Sequence, residues 1–232
     1  MTDEPQYGAA TVALLNEVLD TGVECAALLM RHSAREFDPD IHDLLNPLTD
    51  EGRDYSRRFG AELPKTVHVR GYASPPERCM ETAALAVETH TQGGGSATAP
   101  RPVESLGVFY ALDQIKMWKG LQLAGGLSSY VAQWVGGQVP ADAVLPADLA
   151  AATLAATLVH RLRTSKEPPH VDLCVTHDLS LMMLKAVLLG EAPEAHPVQF
   201  LDGVVLFEKE GAVWLQSAHG PAQDVTGRLT LR

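Results

Sequence analysis

An apolar stretch that ends at an arginine and a histidine constrains the fold of this chain more than any other feature. The stretch begins near Val23, contains Ala26-Ala27-Leu28-Leu29 and leads directly into Arg31 and His32. A continuous apolar run of this length is typical of a strand buried on both faces, as in a parallel sheet covered by helices. In such α/β sheets, ligands bind at the carboxyl ends of the strands. The stretch therefore predicts an α/β protein with a candidate site at Arg31 and His32.

The residues around His32 are suited to an anionic ligand. Arg31 and Arg35 flank this histidine in sequence. Two fixed positive charges would attract an anion and disfavour protonation of the imidazole, which would leave a neutral nucleophile. Taken alone, the same residues also fit a basic surface turn. The polar residues of the following loop are expected to be solvated; these are Asp38, Asp40, His42 and Asp43.

Composition narrows the possible functions. The chain has 232 residues, an apolar fraction of 46% and a formal net charge of −11. The length fits a single domain, residues 1–232, and the acidic charge argues against a general binder of nucleic acid or anionic membranes. No apolar stretch approaches the roughly 20 residues that span a bilayer. The acidic start of the chain lacks the pattern of a signal peptide, and the three cysteines are widely spaced, so a cytoplasmic location is expected.

Two further strand ends carry candidate chemistry. A strand over 66–72 precedes a helix that Ser74 is predicted to cap and that holds Arg78 in its first turn, where free backbone amides favour anions. The apolar strand 171–175 ends at His177-Asp178, before a helix over 179–189. With a terminal hairpin over 204–215, this pattern predicts a three-layer α/β/α sandwich with a mostly parallel sheet and an antiparallel edge strand.

The middle of the chain is less regular. Residues 91–100 are predicted to form a flexible connector, and a short strand is expected within 101–109, with Glu104 inside it. Residues of about 105–150 are interpreted as a helical insertion that covers the site and sets substrate selectivity. Trp118 and Trp134, both in this insertion, either line a pocket or pack the insertion itself.

Taken together and in this order, the motifs resemble the histidine phosphatase superfamily, which includes phosphoglycerate mutases and histidine acid phosphatases. Arg31-His32-Ser33 resembles the family's Arg-His-Gly motif, except that serine replaces glycine. Pro47-Leu48-Thr49 with Gly52 is similar to its Pro-Leu-Thr-x-x-Gly segment. The run from Ser74 to Ala83 resembles Ser-x-x-x-Arg-x-x-x-Thr-Ala, and His177 matches the late histidine. The resemblance covers about residues 24–208.

The resemblance implies a phosphomonoester hydrolase without metal or cofactor that acts on a small or medium-sized phosphorylated molecule. His32 would attack phosphorus and carry a phosphohistidine, while Arg31, Arg78 and His177 would bind the phosphoryl oxygens. Arg35 resembles an arginine of the acid-phosphatase branch, where it would help to bind phosphate. His177 is expected to serve best when protonated, a form that a bound phosphate would favour.

The proton donor, the reaction and the effect of Ser33 stay open at this point. In the acid-phosphatase-like branch the donor would be Asp178, whereas the mutase-like branch would use a glutamate near the position of Glu104. A mutase is one alternative function. A phosphate-binding or protein-interaction module with weak catalysis is another, and Ser33 is the only residue that favours it. Substrate identity and oligomeric state do not follow from these motifs.

Overall fold

The structure is a computed structural model that describes residues 6–38, 40–41, 43–164 and 169–229. Its strands are β1 (Cys25–Arg31), β2 (His68–Ala73), β3 (Ser96–Pro102), β4 (His170–Thr176), β5 (Gly203–Lys209), β6 (Ala212–Ser217) and β7 (Gln223–Asp224). Its helices are α1 (Ala9–Asp20), α2 (Asp50–Glu62), α3 (Glu77–Gln92), α4 (Gln114–Leu123), α5 (Leu127–Val135), α6 (Ala147–Thr164) and α7 (Asp178–Leu189).

The seven strands of the described residues form a single sheet in the order β3-β2-β4-β1-β5-β6-β7. Strands β3, β2, β4 and β1 are mutually parallel, and β5, β6 and β7 extend the sheet through antiparallel pairs. Glu210 and Gly211 join β5 to β6 with positive φ angles of 54° and 80°, the conformation of a tight hairpin turn. The mostly parallel sheet with an antiparallel edge is therefore confirmed.

Strand β1 shows why helices cover both faces of the sheet. Its alternate side chains Ala27 and Leu29 belong to one apolar cluster, with residues of α4 to α7. Ala26, Leu28 and Met30 belong to a second cluster, with residues of α1, α2 and α3. Since successive side chains of a strand point to opposite faces, an apolar residue at every position requires two apolar layers. The predicted three-layer sandwich is confirmed.

The largest error of the sequence-based interpretation concerns β3. Residues 91–100 were expected to form a flexible connector, but α3 continues to Gln92 and β3 begins at Ser96. Most side chains of this strand are exposed, because β3 lies at the edge of the sheet. An edge strand needs no apolar face, so its sequence contains no pattern that distinguishes it from a loop. The strand expected within 101–109 consequently ends at Pro102, and Glu104 begins a short 3₁₀ turn instead.

Helices α4 and α5 occupy the region that was interpreted as an insertion. Both contribute to the apolar cluster that includes α6 and α7; Met117, Tyr130 and Trp134 are among its members. Trp134 is buried and donates from Nε1 to the carbonyl oxygen of Leu145 at 2.7 Å, so this tryptophan packs the interior of the segment. Within the described parts of the chain, no helix is both long and apolar enough to cross a membrane.

Candidate active site

Three neighbouring strands bring the predicted site residues to one edge of the sheet. Strand β4 lies between β1 and β2, and all three run in the same direction. Their carboxyl ends are level, since Arg31 pairs with Thr176 and Ala73 pairs with Val175. Residues that directly follow these strands therefore converge, although up to 145 positions separate them in sequence.

His32 lies directly after β1 with its imidazole buried and held in one tautomer. Nδ1 lies 2.8 Å from the carbonyl oxygen of Ser33, which can only accept a hydrogen bond, so Nδ1 carries the proton. Nε2 lies 3.1 Å from Nε of Arg78, a group that can only donate. The lone pair of Nε2 is therefore directed toward the guanidinium group of Arg78, in the orientation that a nucleophile for an arginine-bound group requires.

Arg78 is the centre of the site. It lies in the first turn of α3, only 3% of its surface is exposed, and it contacts both histidines. Besides the contact with His32, its Nη2 lies 3.3 Å from Nδ1 of His177. Because an arginine guanidinium is always charged, a fixed positive charge lies between the two imidazoles.

An internal carboxylate, which the sequence interpretation missed, occupies the space between two arginines. Asp43 accepts from Nη2 of Arg35 at 2.6 Å and from Nη2 of Arg78 at 3.2 Å. Its backbone carbonyl also accepts from Nη1 of Arg78 at 2.8 Å. Asp43 was expected to be solvated, and that prediction is wrong, because the loop after His32 folds back over the site; His42 lies outside the described residues. We call Arg35, Arg78 and Asp43 the arginine clamp.

His177 follows β4 and is held by Ser74. Since Arg78 donates to Nδ1 of His177, the proton of this imidazole lies on Nε2, which donates to Oγ of Ser74 at 2.8 Å. Ser74 was predicted to cap α3, but the residue that precedes this helix is Pro76, and no side chain caps it. Ser74 instead fixes the orientation of His177, whose ring centroid lies 5.7 Å from that of His32.

Asp178 is the first residue of α7, and Arg31 binds its carboxylate. Nη2 of Arg31 lies 2.8 Å from Oδ2 of Asp178, whose side chain is 28% exposed and lines the cavity. Arg31 is further held by the carbonyl oxygen of Val198 and by the ring of Phe200, 4.2 Å from its guanidinium carbon. Arg31 itself is not part of the cavity wall, and its buried Nε has no hydrogen-bond partner among the described residues.

Glu104 is the one predicted site residue that the fold does not bring to the others. It is exposed, in the 3₁₀ turn Glu104–Leu106 after β3, and it does not line the cavity. In that turn Leu106 is the side chain that packs into the core, which directs Glu104 toward solvent.

Ser33 replaces a glycine of the resembling motif without a visible penalty. Its φ is not positive, so the backbone does not need glycine at this position. Its buried hydroxyl donates to the carbonyl oxygen of Gly52 at 2.7 Å, and its amide donates to Oγ1 of Thr82 at 3.1 Å. The backbone position that has no room for a side chain is Gly52, where a Cβ atom would lie 2.0 Å from the carbonyl oxygen of Ala34.

Burial and charge keep both histidines neutral. The pKa of His32 lies well below its usual range, mainly because of desolvation, with further lowering by His177, Arg78 and Arg31. Desolvation, followed by the charge of Arg78, lowers the pKa of His177 to about 4. The tautomers deduced from the hydrogen bonds agree with neutral rings in both cases.

These shifts predict that acid destabilises the fold. Since His177 titrates near 6.5 when exposed and near 4 here, the unfolded chain binds more protons between those values, and stability falls as the pH falls through this window. We expect His177 alone to lower the free energy of unfolding by ~2 kcal/mol between about pH 8 and about pH 5. Urea unfolding at both pH values measures this loss. Over the same pH change, a His177→Asn variant should lose less free energy of unfolding than the wild type, and the difference should equal the contribution of His177. A His160→Asn surface variant should lose as much as the wild type. Equal losses in all three proteins would contradict the assignment.

A cavity of about 370 Å³ joins the clamp to helix α4. His32, Arg35, Asp43, Arg78, His177 and Asp178 line one end of it. Side chains of α4, including Trp118, line the other end, so Trp118 is the tryptophan that faces the pocket. Among the described residues, no group of three or more histidine, cysteine, aspartate or glutamate side chains is arranged to hold a metal ion.

Several solved structures share this architecture. Phosphoglycerate mutase from Bacillus anthracis shares 17% sequence identity with this chain, and the two structures superpose with a TM-score of 0.57. The match covers 84% of this chain and 92% of that one. A phosphoserine phosphatase from Entamoeba histolytica, crystallised with phosphoserine, is 15% identical with a TM-score of 0.57, covering 83% and 95%. The α-ribazole phosphatase of Shigella flexneri is 15% identical with a TM-score of 0.51, also covering 83% and 95%.

No protein-family model and no curated protein sequence matches the chain. At these identities the similarity concerns the fold, which agrees in its mixed sheet of mostly parallel strands and in the helices on both faces. The chain has the fold of the phosphoglycerate mutase and histidine phosphatase superfamily.

Proposed function

We propose that this protein is a phosphomonoester hydrolase that transfers the phosphoryl group to Nε2 of His32 and then to water. One observation carries the proposal. The unprotonated Nε2 of a buried, neutral histidine lies 3.1 Å from Nε of a buried arginine, at the end of a cavity. A phosphoryl group bound by Arg78 would therefore lie beside the lone pair that attacks it, which is the positioning that phosphoryl transfer requires.

The cationic groups would stabilise the phosphoryl oxygens during transfer. Arg78 and Arg35 contribute guanidinium groups at the cavity, and His177 contributes an imidazole that can take up a proton when a dianion binds next to it. Arg31 adds positive charge behind His32, and its buried Nε, which has no partner among the described residues, is a hydrogen-bond donor at the same strand end. Fixed donors of this kind need no reorganisation when charge develops in the transition state.

In this proposal Asp178, and not Glu104, protonates the leaving oxygen. Asp178 lines the cavity, its side chain is 28% exposed, and Nη2 of Arg31 lies 2.8 Å from its Oδ2. Glu104 has no place in the cavity wall. The satisfied hydrogen bonds of Ser33 support an intact nucleophile turn, so they favour a hydrolase over a phosphate-binding module with weak catalysis.

Asp43 competes with the substrate for the clamp. Its two carboxylate oxygens contact the same two guanidinium groups that the phosphoryl oxygens would need, so a bound phosphate must displace or rearrange them. We expect Asp43→Asn to bind inorganic phosphate about 10-fold more tightly, because one nearby negative charge is removed. Isothermal titration calorimetry with inorganic phosphate measures the change. Asp38→Asn, an exposed residue of the same loop, serves as the control, and weaker binding by Asp43→Asn would show that Asp43 organises the clamp instead.

The proposal is tested by incubating purified protein with 4-nitrophenyl phosphate and measuring phosphate release. Hydrolysis with a transient phosphoenzyme that is stable in base and labile in acid is the expected result. Exclusive release of inorganic phosphate, with no transfer to an added phosphoglycerate, rejects a mutase. Absence of both turnover and phosphoenzyme refutes the proposed function.

A further inference from the structure

The cavity has two chemically different ends. Among the described residues of its wall, all the charged groups belong to the end that contains the clamp, the two histidines and Asp178. The other described residues of the wall are apolar apart from two uncharged amides, Gln114 and Gln122. Besides Phe37, the apolar side chains of this wall are Val108, Met117, Trp118, Leu121, Leu127 and Leu179.

Helix α4 directs one continuous face into the cavity. Gln114, Met117, Trp118 and Leu121 line it at helical spacings of three and four residues. Leu123, on the same helix, is 89% exposed and does not line the cavity, so the helix has distinct cavity-facing and solvent-facing sides.

Two aromatic side chains extend the apolar wall to the cavity mouth. Phe37, from the loop after His32, is 70% exposed, and Trp118 is 38% exposed, yet both line the cavity. Large apolar side chains exposed beside a binding cleft are a common mark of a ligand-binding surface. The two residues come from different segments of the chain. The apolar part of an ester whose phosphate is bound in the clamp could therefore contact both of them.

The distribution of charge limits what can be attached to the phosphate. A carboxylate or second phosphate on the substrate would lie against uncharged side chains, with no cation among the described wall residues outside the clamp end to offset its desolvation. An apolar chain or ring would instead gain free energy as it leaves water. The volume of about 370 Å³ lies in the range of pockets that enclose small ligands.

We infer that the substrate is the phosphate monoester of an apolar alcohol or phenol, with the phosphate in the clamp and the apolar group against α4. This inference rests on the proposed function for the position of the phosphate. The apolar character of the leaving group is inferred from the apolar wall alone. Esters of polar alcohols that carry a carboxylate, such as phosphoserine and phosphoglycerate, are poor substrates on this assignment.

A homologous series separates the leaving group's size from its reactivity. The n-alkyl phosphates from ethyl to hexyl have alcohols of similar acidity, so differences in kcat/KM report binding of the chain in the transition state. We expect kcat/KM to rise about threefold per methylene group, or roughly 80-fold from ethyl to hexyl. The corresponding n-alkylphosphonates, which are not hydrolysed, should show the same trend in calorimetric affinity.

Two variants of α4 locate the effect. Trp118→Ala should reduce the increase along both series by about half, because an apolar wall residue is lost. Leu123→Ala removes an exposed apolar side chain from the opposite side of the helix and should leave both increases unchanged. An equal effect of the two variants would overturn the assignment of this wall.

The two measurements distinguish failure of the inference from failure of the proposed function. Phosphate release with no dependence on chain length, or with faster turnover of phosphoserine or 3-phosphoglycerate than of hexyl phosphate, overturns the inference and leaves the hydrolase intact. Phosphonate affinity that rises with chain length, with no turnover of any ester, supports the apolar wall and refutes the hydrolase. Absence of both phosphonate binding and turnover overturns both.

Discussion

Replacement of His32 by asparagine is expected to lower kcat for 4-nitrophenyl phosphate by about 10⁴-fold or more and to abolish the phosphoenzyme. The reason is the orientation of Nε2, the only lone pair of the imidazole directed at Arg78, since Nδ1 is bound to the carbonyl oxygen of Ser33. An asparagine amide cannot form the phosphoramidate bond, so the reaction would have to proceed by direct attack of water. Rapid acid-free quenching followed by intact mass spectrometry under alkaline conditions measures the phosphoenzyme.

Two controls separate loss of the nucleophile from loss of the fold. His160→Asn changes an exposed histidine of α6 and should retain full activity. The His32→Asn protein should still bind inorganic phosphate, because Arg35 and Arg78 are unchanged, and this binding shows that the site is folded. A phosphoenzyme that persists in folded His32→Asn protein would identify another nucleophile and refute the mechanism.

The fold and the histidines could be predicted because their signals are local in sequence. Strand β1 is apolar at every interior position and therefore requires two covering layers. The residues that follow β1, β2 and β4 lie close together because parallel strands place their carboxyl ends at one edge of the sheet. The proximity of Arg78 and His177 to His32 could therefore be predicted from the sequence.

The remaining features depend on contacts between distant segments. Asp43 resembles any loop carboxylate in sequence, and only the fold brings it to Arg35 and Arg78. Ser74 satisfies the sequence pattern of a helix cap, but two prolines follow it and α3 begins only at Glu77. The hydroxyl of Ser74 accepts a hydrogen bond from His177 instead. Glu104 was placed in a strand because the exposed edge strand β3 gave no apolar pattern, and the actual end of β3 at Pro102 moves Glu104 into a turn.

Replacement of Asp178 by asparagine is expected to slow hydrolysis of hexyl phosphate by about 10³-fold while slowing 4-nitrophenyl phosphate by less than about 10-fold. An alkoxide is a poor leaving group that needs a proton in the transition state, whereas 4-nitrophenolate leaves readily without one. Asp178 is the carboxyl group in the cavity wall that Arg31 orients, with 2.8 Å between Nη2 and Oδ2. Steady-state phosphate release from both esters, measured on the same protein preparation, gives the ratio directly.

The matched variant is Glu104→Gln, which changes the other candidate donor in the same isosteric way. Because Glu104 is exposed outside the cavity, this variant should hydrolyse both esters at the wild-type rate. A selective loss of alkyl phosphate hydrolysis in Glu104→Gln, with Asp178→Asn unaffected, would transfer the role of proton donor to Glu104 and require the turn at Glu104–Leu106 to move toward the cavity. An equal loss for both esters in Asp178→Asn would instead assign Asp178 to a contact or step that both esters share. Such roles are phosphate binding, the orientation of Arg31, or removal of a proton from the water that hydrolyses the phosphohistidine.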